Sequence, residues 1–140
     1  MDNFIFHAHT KMYFGKGQAA HLPEILAAYG KRVLLTYGGG SIKKNGIYDT
    51  VISMLGDFEV TELGGIEPNP KIDSVREGVR LCKEHGIDVI LAVGGGSTID
   101  CSKAIGAGVY YDGDPWDMVK ANAITRVLPI VTILTMGATG

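Results

Sequence analysis

Two places in this 140-residue sequence run an apolar stretch straight into three glycines and a serine: Tyr37-Gly38-Gly39-Gly40-Ser41 and Val93-Gly94-Gly95-Gly96-Ser97. Where such a run opens a helix, the first N–H groups have no partner inside the helix. They add to a helix dipole equivalent to about half a positive charge at that end. Glycine leaves the approach clear, so a phosphate or pyrophosphate can settle on the amides. The second copy therefore reads as a phosphate cradle, with Ser97 either capping the helix or donating its hydroxyl to phosphate. The competing reading is a tight turn capped by Ser97 with nothing bound, and three successive glycines weigh against it. The spacing fits neither G-x-G-x-x-G nor the Walker pattern G-x-x-x-x-G-K-[ST], so neither of those fingerprints applies. Asp100 follows in the first turn. It either answers the helix dipole or turns toward nicotinamide, ribose or substrate, because a pyrophosphate repels it.

The first copy sits where a dinucleotide site meets the adenosine ribose. Gly38 and Gly39 stand where an NAD-specific site places an acidic residue to bind the ribose hydroxyls. Without that carboxylate, Ser41 and a nearby lysine (Lys43 or Lys44) can take a 2′-phosphate. The expected cofactor is NADP(H) in preference to NAD(H).

The elements around these loops must hold them on one rim. Residues 4–14 alternate loosely and carry aromatic residues, which predicts one or two short strands or a hairpin. Residues 18–29 have helical spacing, with Gly30 as a C-cap. Strands are expected over residues 32–37, 58–63, 88–93 and 128–134. Helices are expected over 47–55, 74–85, 98–108 and 116–120. Strands separated by helix-length segments, with no hairpin signals after residue 30, predict an α/β fold: an open, mainly parallel, Rossmann-like sheet with helices on both faces. Such sheets bind ligands beyond the carboxyl ends of their strands, where both glycine loops and the final Thr135-Met-Gly-Ala-Thr139 stretch would meet.

Composition bounds the rest. Hydrophobic residues at 46% and charged residues at 20% describe a folded globular chain. Twenty glycines in 140 residues is about double ordinary usage, as tight turns and close backbone approach to a ligand require. A formal net charge of −2 argues against a nucleic-acid partner. No apolar run reaches the length of a membrane span, and residues 1–4 lack the pattern of a signal peptide. The two cysteines, Cys82 and Cys101, form no C-x-x-C and read as buried free thiols in a cytoplasmic protein. His7 and His9 are two apart with no third ligand near them in sequence, so they read as surface residues. Trp116 reads as a packing anchor. The chain closes on an apolar strand and a Gly/Thr loop, which reads as an interrupted element of a longer protein.

The segment GGGSTIDCSK (residues 94–103) resembles the GGGS-x-x-D-x-x-K signature of the iron-containing, group III, alcohol dehydrogenases. Pro68-Asn69-Pro70 before a helix, the stretch YDGDPWD (residues 111–117) and TMGATG (residues 135–140) agree with it. YGGGSIKKNGIYD (residues 37–49) is similar to the NAD(P)H-dependent butanol dehydrogenase branch. The resemblance implies that the pyrophosphate lies on Gly95, Gly96 and Ser97, and that Asn69, Thr135 and Thr139 also contact the dinucleotide. It implies that residues 1–140 are a dinucleotide-binding domain. A helical carboxyl-terminal domain, absent here, would then hold Fe²⁺ or Zn²⁺ through one Asp and three His. It further implies a short-chain aldehyde or alcohol substrate and a homodimer. Two alternatives stand beside it: a relative of glycerol dehydrogenase or dehydroquinate synthase, and a free-standing nucleotide-binding module without chemistry.

Overall fold

The computed structural model describes residue 3 and residues 5–137. Among these residues four strands form one sheet in the order β2-β1-β3-β4: β1 is Arg32–Tyr37, β2 Glu59–Leu63, β3 Val89–Gly94 and β4 Ile130–Leu134. Every pairing is parallel, and the register sets Tyr37 beside Val93 and Gly94 beside Leu134. Parallel strands must be joined by crossovers, and helices supply them. A single-turn helix α2 (Ser41–Lys44) and α3 (Ile47–Met54) link β1 to β2, and α4 (Ile72–His85) links β2 to β3. Helices α5 (Gly96–Gly108) and α6 (Pro115–Ala121) link β3 to β4. Before β1, a 3-10 turn (Gln18–His21) leads into α1 (Leu22–Ala27).

Period-2 alternation within the strands divides the core into two layers. Val33, Leu35 and Tyr37 of β1 and Val89, Leu91 and Val93 of β3 face α1, α2 and α3, meeting Leu22, Leu26, Ile42 and Val51. Leu34 and Ile90 face the other way, onto Val75, Val79 and Cys82 of α4 and Cys101 and Ile105 of α5. The central strands are buried along nearly their whole length, as expected for a parallel sheet covered on both faces.

The parallel architecture and its strand positions match the expectation to within about two residues. The amino-terminal strand or hairpin does not form among the described residues. Among the described residues, 5–14 contain no strand, and Ile5, Phe6 and Phe14 are exposed. A strand needs a partner edge for its N–H and C=O groups, and this arm lies against none. Phe4 lies outside the described residues. The stretch expected as one helix over 18–29 is a 3-10 turn followed by a shorter α-helix, with Pro23 in the latter's first turn. Helix α2 was not expected, because its four residues are too few to show a period.

Candidate functional site

Strand β1 leaves the sheet centre toward β2 on one side, and β3 leaves toward β4 on the other. The carboxyl ends of β1 and β3 are therefore the point where the connections diverge and a crevice opens. Both glycine loops lie there: residues 38–40 after β1, residues 95–96 after β3.

The loops differ in how they use glycine. A methyl group on Gly94 would lie 2.7 Å from Thr98 Oγ1, and one on Gly38 would lie 3.3 Å from the Ile66 carbonyl. These two glycines let backbone segments pack closely. A methyl group on Gly39, Gly40, Gly95 or Gly96 would instead meet nothing within 4 Å. Gly40 needs glycine for its conformation, with φ at 115°. Gly95 and Gly96 have no such demand, so their missing side chains keep open the space before the first turn of α5.

Helix α5 opens at Gly96, and its N-cap is Gly95 in an extended conformation with no side-chain cap. Ser97 is thus inside the first turn and does not cap the helix. Its Oγ accepts the backbone N–H of Asn69 at 3.4 Å, which draws the loop after β2 to the cradle. Asn69 has φ 55°, a left-handed conformation that Asn adopts more readily than most residues. The same loop closes over the end of β1, where Gly65 N–H donates to Gly38 O at 3.0 Å and Ile66 N–H to Tyr37 O at 3.2 Å. On the other side, Thr135 N–H donates to Gly94 O at 3.0 Å. Gly38, Gly39, Ser41, Asn69, Gly95, Gly96, Ser97 and Thr135 thereby fall on one rim. Thr139 lies outside the described residues.

Asp100 is not in the cradle. It is exposed one turn further along α5, 3.8 Å from Lys103 Nζ, and lines a shallow cavity of about 170 Å³ with Pro70, Ile72 and Trp116. Trp116 is 49% exposed there, so it is no packing anchor. Asp114 caps α6 instead, accepting Trp116 N–H at 2.9 Å. That N–H and the Arg76 guanidinium hold the Asp114 carboxyl below its usual range. Lys43, one of the two lysines that could take a 2′-phosphate, lies over the Tyr37 and Tyr48 rings at 5.1 and 4.8 Å. The Tyr48 hydroxyl is pushed up to about 12, chiefly by the neighbouring Glu62 carboxylate.

Two further groups carry no local sequence pattern. Thr98 is buried under the Gly94 turn, and a buried hydroxyl pair joins Thr36 to Ser102 at 2.7 Å. The one visible signal was a threonine in an otherwise apolar strand. Among the described residues, no three His, Cys, Asp or Glu side chains gather to hold a metal ion, and no helix is long and apolar enough to cross a membrane. The His7 and His9 rings touch each other on the exposed arm.

Known proteins share this arrangement. Over its whole length the chain is 54% identical to NADH-dependent butanol dehydrogenase A of Clostridium acetobutylicum, of which it spans 37%. It is 42% identical to the NADPH-dependent aldehyde reductase YqhD of Escherichia coli, again spanning 37% of that protein. The crystal structure of NADH-dependent butanol dehydrogenase A from Thermotoga maritima superposes with a TM-score of 0.91 at 44% identity, covering 99% of this chain and 36% of that one. Residues 9–140 match the family model for iron-containing alcohol dehydrogenase. The chain belongs to the iron-containing alcohol dehydrogenase family.

Proposed function

We propose that this chain is the dinucleotide-holding domain of an NAD(P)H-dependent alcohol dehydrogenase or aldehyde reductase, acting on a short-chain alcohol or aldehyde. The observation that carries this reading is the open space over Gly39, Gly40, Gly95 and Gly96 before the first turn of α5. It lies at the crevice where an open α/β sheet takes its ligands. Gly95, Gly96 and Ser97 hold the pyrophosphate through first-turn N–H groups that the helix cannot satisfy internally. Gly38, Gly39 and Ser41 border the adenosine ribose. Asn69 and Thr135 flank the cradle, and Thr139 belongs with them by resemblance. Asp100, beyond the cradle, faces the nicotinamide or substrate side.

Bound reduced nicotinamide supplies the hydride, and this chain's own work is to grip and orient the cofactor. Among the described residues no three His, Cys, Asp or Glu side chains gather to hold a metal ion, and the resemblance assigns Fe²⁺ or Zn²⁺ to a helical carboxyl-terminal domain. The two free, buried cysteines suit the cytoplasm. The exposed apolar arm, with Ile5, Phe6, Met12 and Phe14, suits a homodimer contact.

The finer reading is a preference for NADP(H), supported by the absence of a carboxylate in residues 38–41. The names of the relatives divide, NADH at 54% identity and NADPH at 42%. Measuring kcat/KM with both reduced cofactors, on the protein encoded by the full reading frame, decides it. The expected ratio favours NADPH, and a clear NADH preference overturns the finer reading alone.

A further inference from the structure

A run of hydroxyl groups crosses the otherwise apolar layer between the sheet and α5. Thr36 and Ser102 are fully buried, and Thr98 is 4% exposed. Ser102 Oγ lies 2.7 Å from the Thr98 carbonyl and 2.7 Å from Thr36 Oγ1. The proton count fixes the direction. Ser102 has one hydroxyl proton and the carbonyl can only accept, so Ser102 donates to Thr98 O. Thr36 must then donate to Ser102, leaving its 3.5 Å approach to Leu91 O a minor contact. A directed chain therefore runs from β1, through the second turn of α5, to a carbonyl in its first turn.

The residue at its far end, Thr98, packs its side chain between the two glycine loops. Thr98 Oγ1 would lie 2.7 Å from a Gly94 methyl and 3.9 Å from a Gly38 methyl, so the side chain fills the angle between the ends of β3 and β1. Apolar packing fixes the distance of a helix from a sheet but not strongly its rotation. A hydrogen bond in a dry layer is directional, and losing the Thr36–Ser102 bond removes a directional tie between β1 and α5.

We propose that Thr36, Ser102 and Thr98 are positioning residues that set the rotation of the α5 first turn against the end of β1, and so the spacing of the two loops that grip the dinucleotide. The inference rests on the cofactor-holding function proposed above. Apolar side chains at these places would cover the same surface without the direction.

The test uses the protein from the full reading frame, titrated with NADPH and NADH, with thermal midpoints measured in parallel. Thr36→Val removes the hydroxyl at nearly constant shape, Thr36→Ser keeps it, and Ser102→Ala breaks the chain in the middle. Val51→Ala is the control, a buried residue of the opposite core layer. Thr36→Val and Ser102→Ala are expected to weaken cofactor binding about tenfold, the equivalent of one lost hydrogen bond. Thr36→Ser should stay within about twofold of the unsubstituted protein. Val51→Ala should lower the thermal midpoint without moving the cofactor Kd. Should Thr36→Val not fold, the Ser102→Ala result decides. Unchanged binding in the two hydroxyl-free variants, equal losses in Thr36→Ser, or equal losses in the control would each overturn the positioning role. If the unsubstituted protein binds neither nucleotide, the proposed function falls, and the positioning role with it.

Discussion

Glycine at position 96 separates stability from binding. Nothing lies within 4 Å of a side chain there, and the residue is helical, where alanine is favoured over glycine by up to about 1 kcal/mol. Gly96→Ala should therefore fold at least as stably as the parent while binding the dinucleotide at least tenfold more weakly. Calorimetry in the two modes, thermal and titration, checks both halves. At Gly94 the same change should destabilise, because the added methyl meets Thr98 Oγ1 at 2.7 Å. The sequence showed the glycine runs but not this division of labour. Which glycines admit a ligand and which admit backbone depends on Thr98 and Ile66, residues that local spacing does not bring together. The thiols make a second prediction at this scale. Burial pushes Cys82 up to about 12 and Cys101 up to about 11, from an ordinary value of 9.0. Only the unfolded chain ionises near its ordinary value, so their contribution is fully present below pH 9.0 and lost as pH rises from there toward 11 and 12. The thermal midpoint should fall over that alkaline window, and a thiol reagent at pH 8 should label neither cysteine until the protein unfolds.

Helix α5 carries the cradle, and its seat against α4 is built from small residues. A methyl on Gly108 would lie 2.7 Å from Val79 Cγ2, and Gly78 lies under Ile105 in the same contact. Gly108→Ala should destabilise by about 1–3 kcal/mol through overpacking. Its remoteness from the rim predicts an unchanged ratio of NADPH to NADH affinity in the folded protein. Denaturant unfolding and cofactor titration together test this. At the scale of elements the sequence was legible where periodicity was long: α4 and the two central strands. It misled where tertiary partners decide. The alternating arm before residue 15 has strand composition, but its described residues pair with neither edge of the sheet. Ser97 resembles an N-cap, yet an extended Gly95 precedes the helix and shifts the serine inside. Trp116 has the composition of an anchor, but the Asp114 cap sets α6 so that the ring lies half exposed over the Asp100 groove.

For the whole molecule, the order β2-β1-β3-β4 does what no local motif can. It places the ends of β1 and β3 side by side and sends their connections apart, so loops more than fifty residues apart in sequence become two walls of one crevice. The parallel class was legible from alternating strands and helices; the order was not, because a crossover length does not say on which side the next strand lands. The proposed function stands on that crevice and on the free N–H groups of the α5 first turn. Hydrogen–deuterium exchange on the protein from the full reading frame, with and without saturating NADPH, tests it most directly. Unpaired first-turn amides exchange quickly, and a bound pyrophosphate slows them. Slowed exchange is expected at residues 95–98 and in the loops at 38–41 and 65–70, with no change at Arg32, Glu59 and His85 on the opposite end of the sheet. Protection confined to that opposite end, or none at 95–98 under saturating cofactor, would contradict the account.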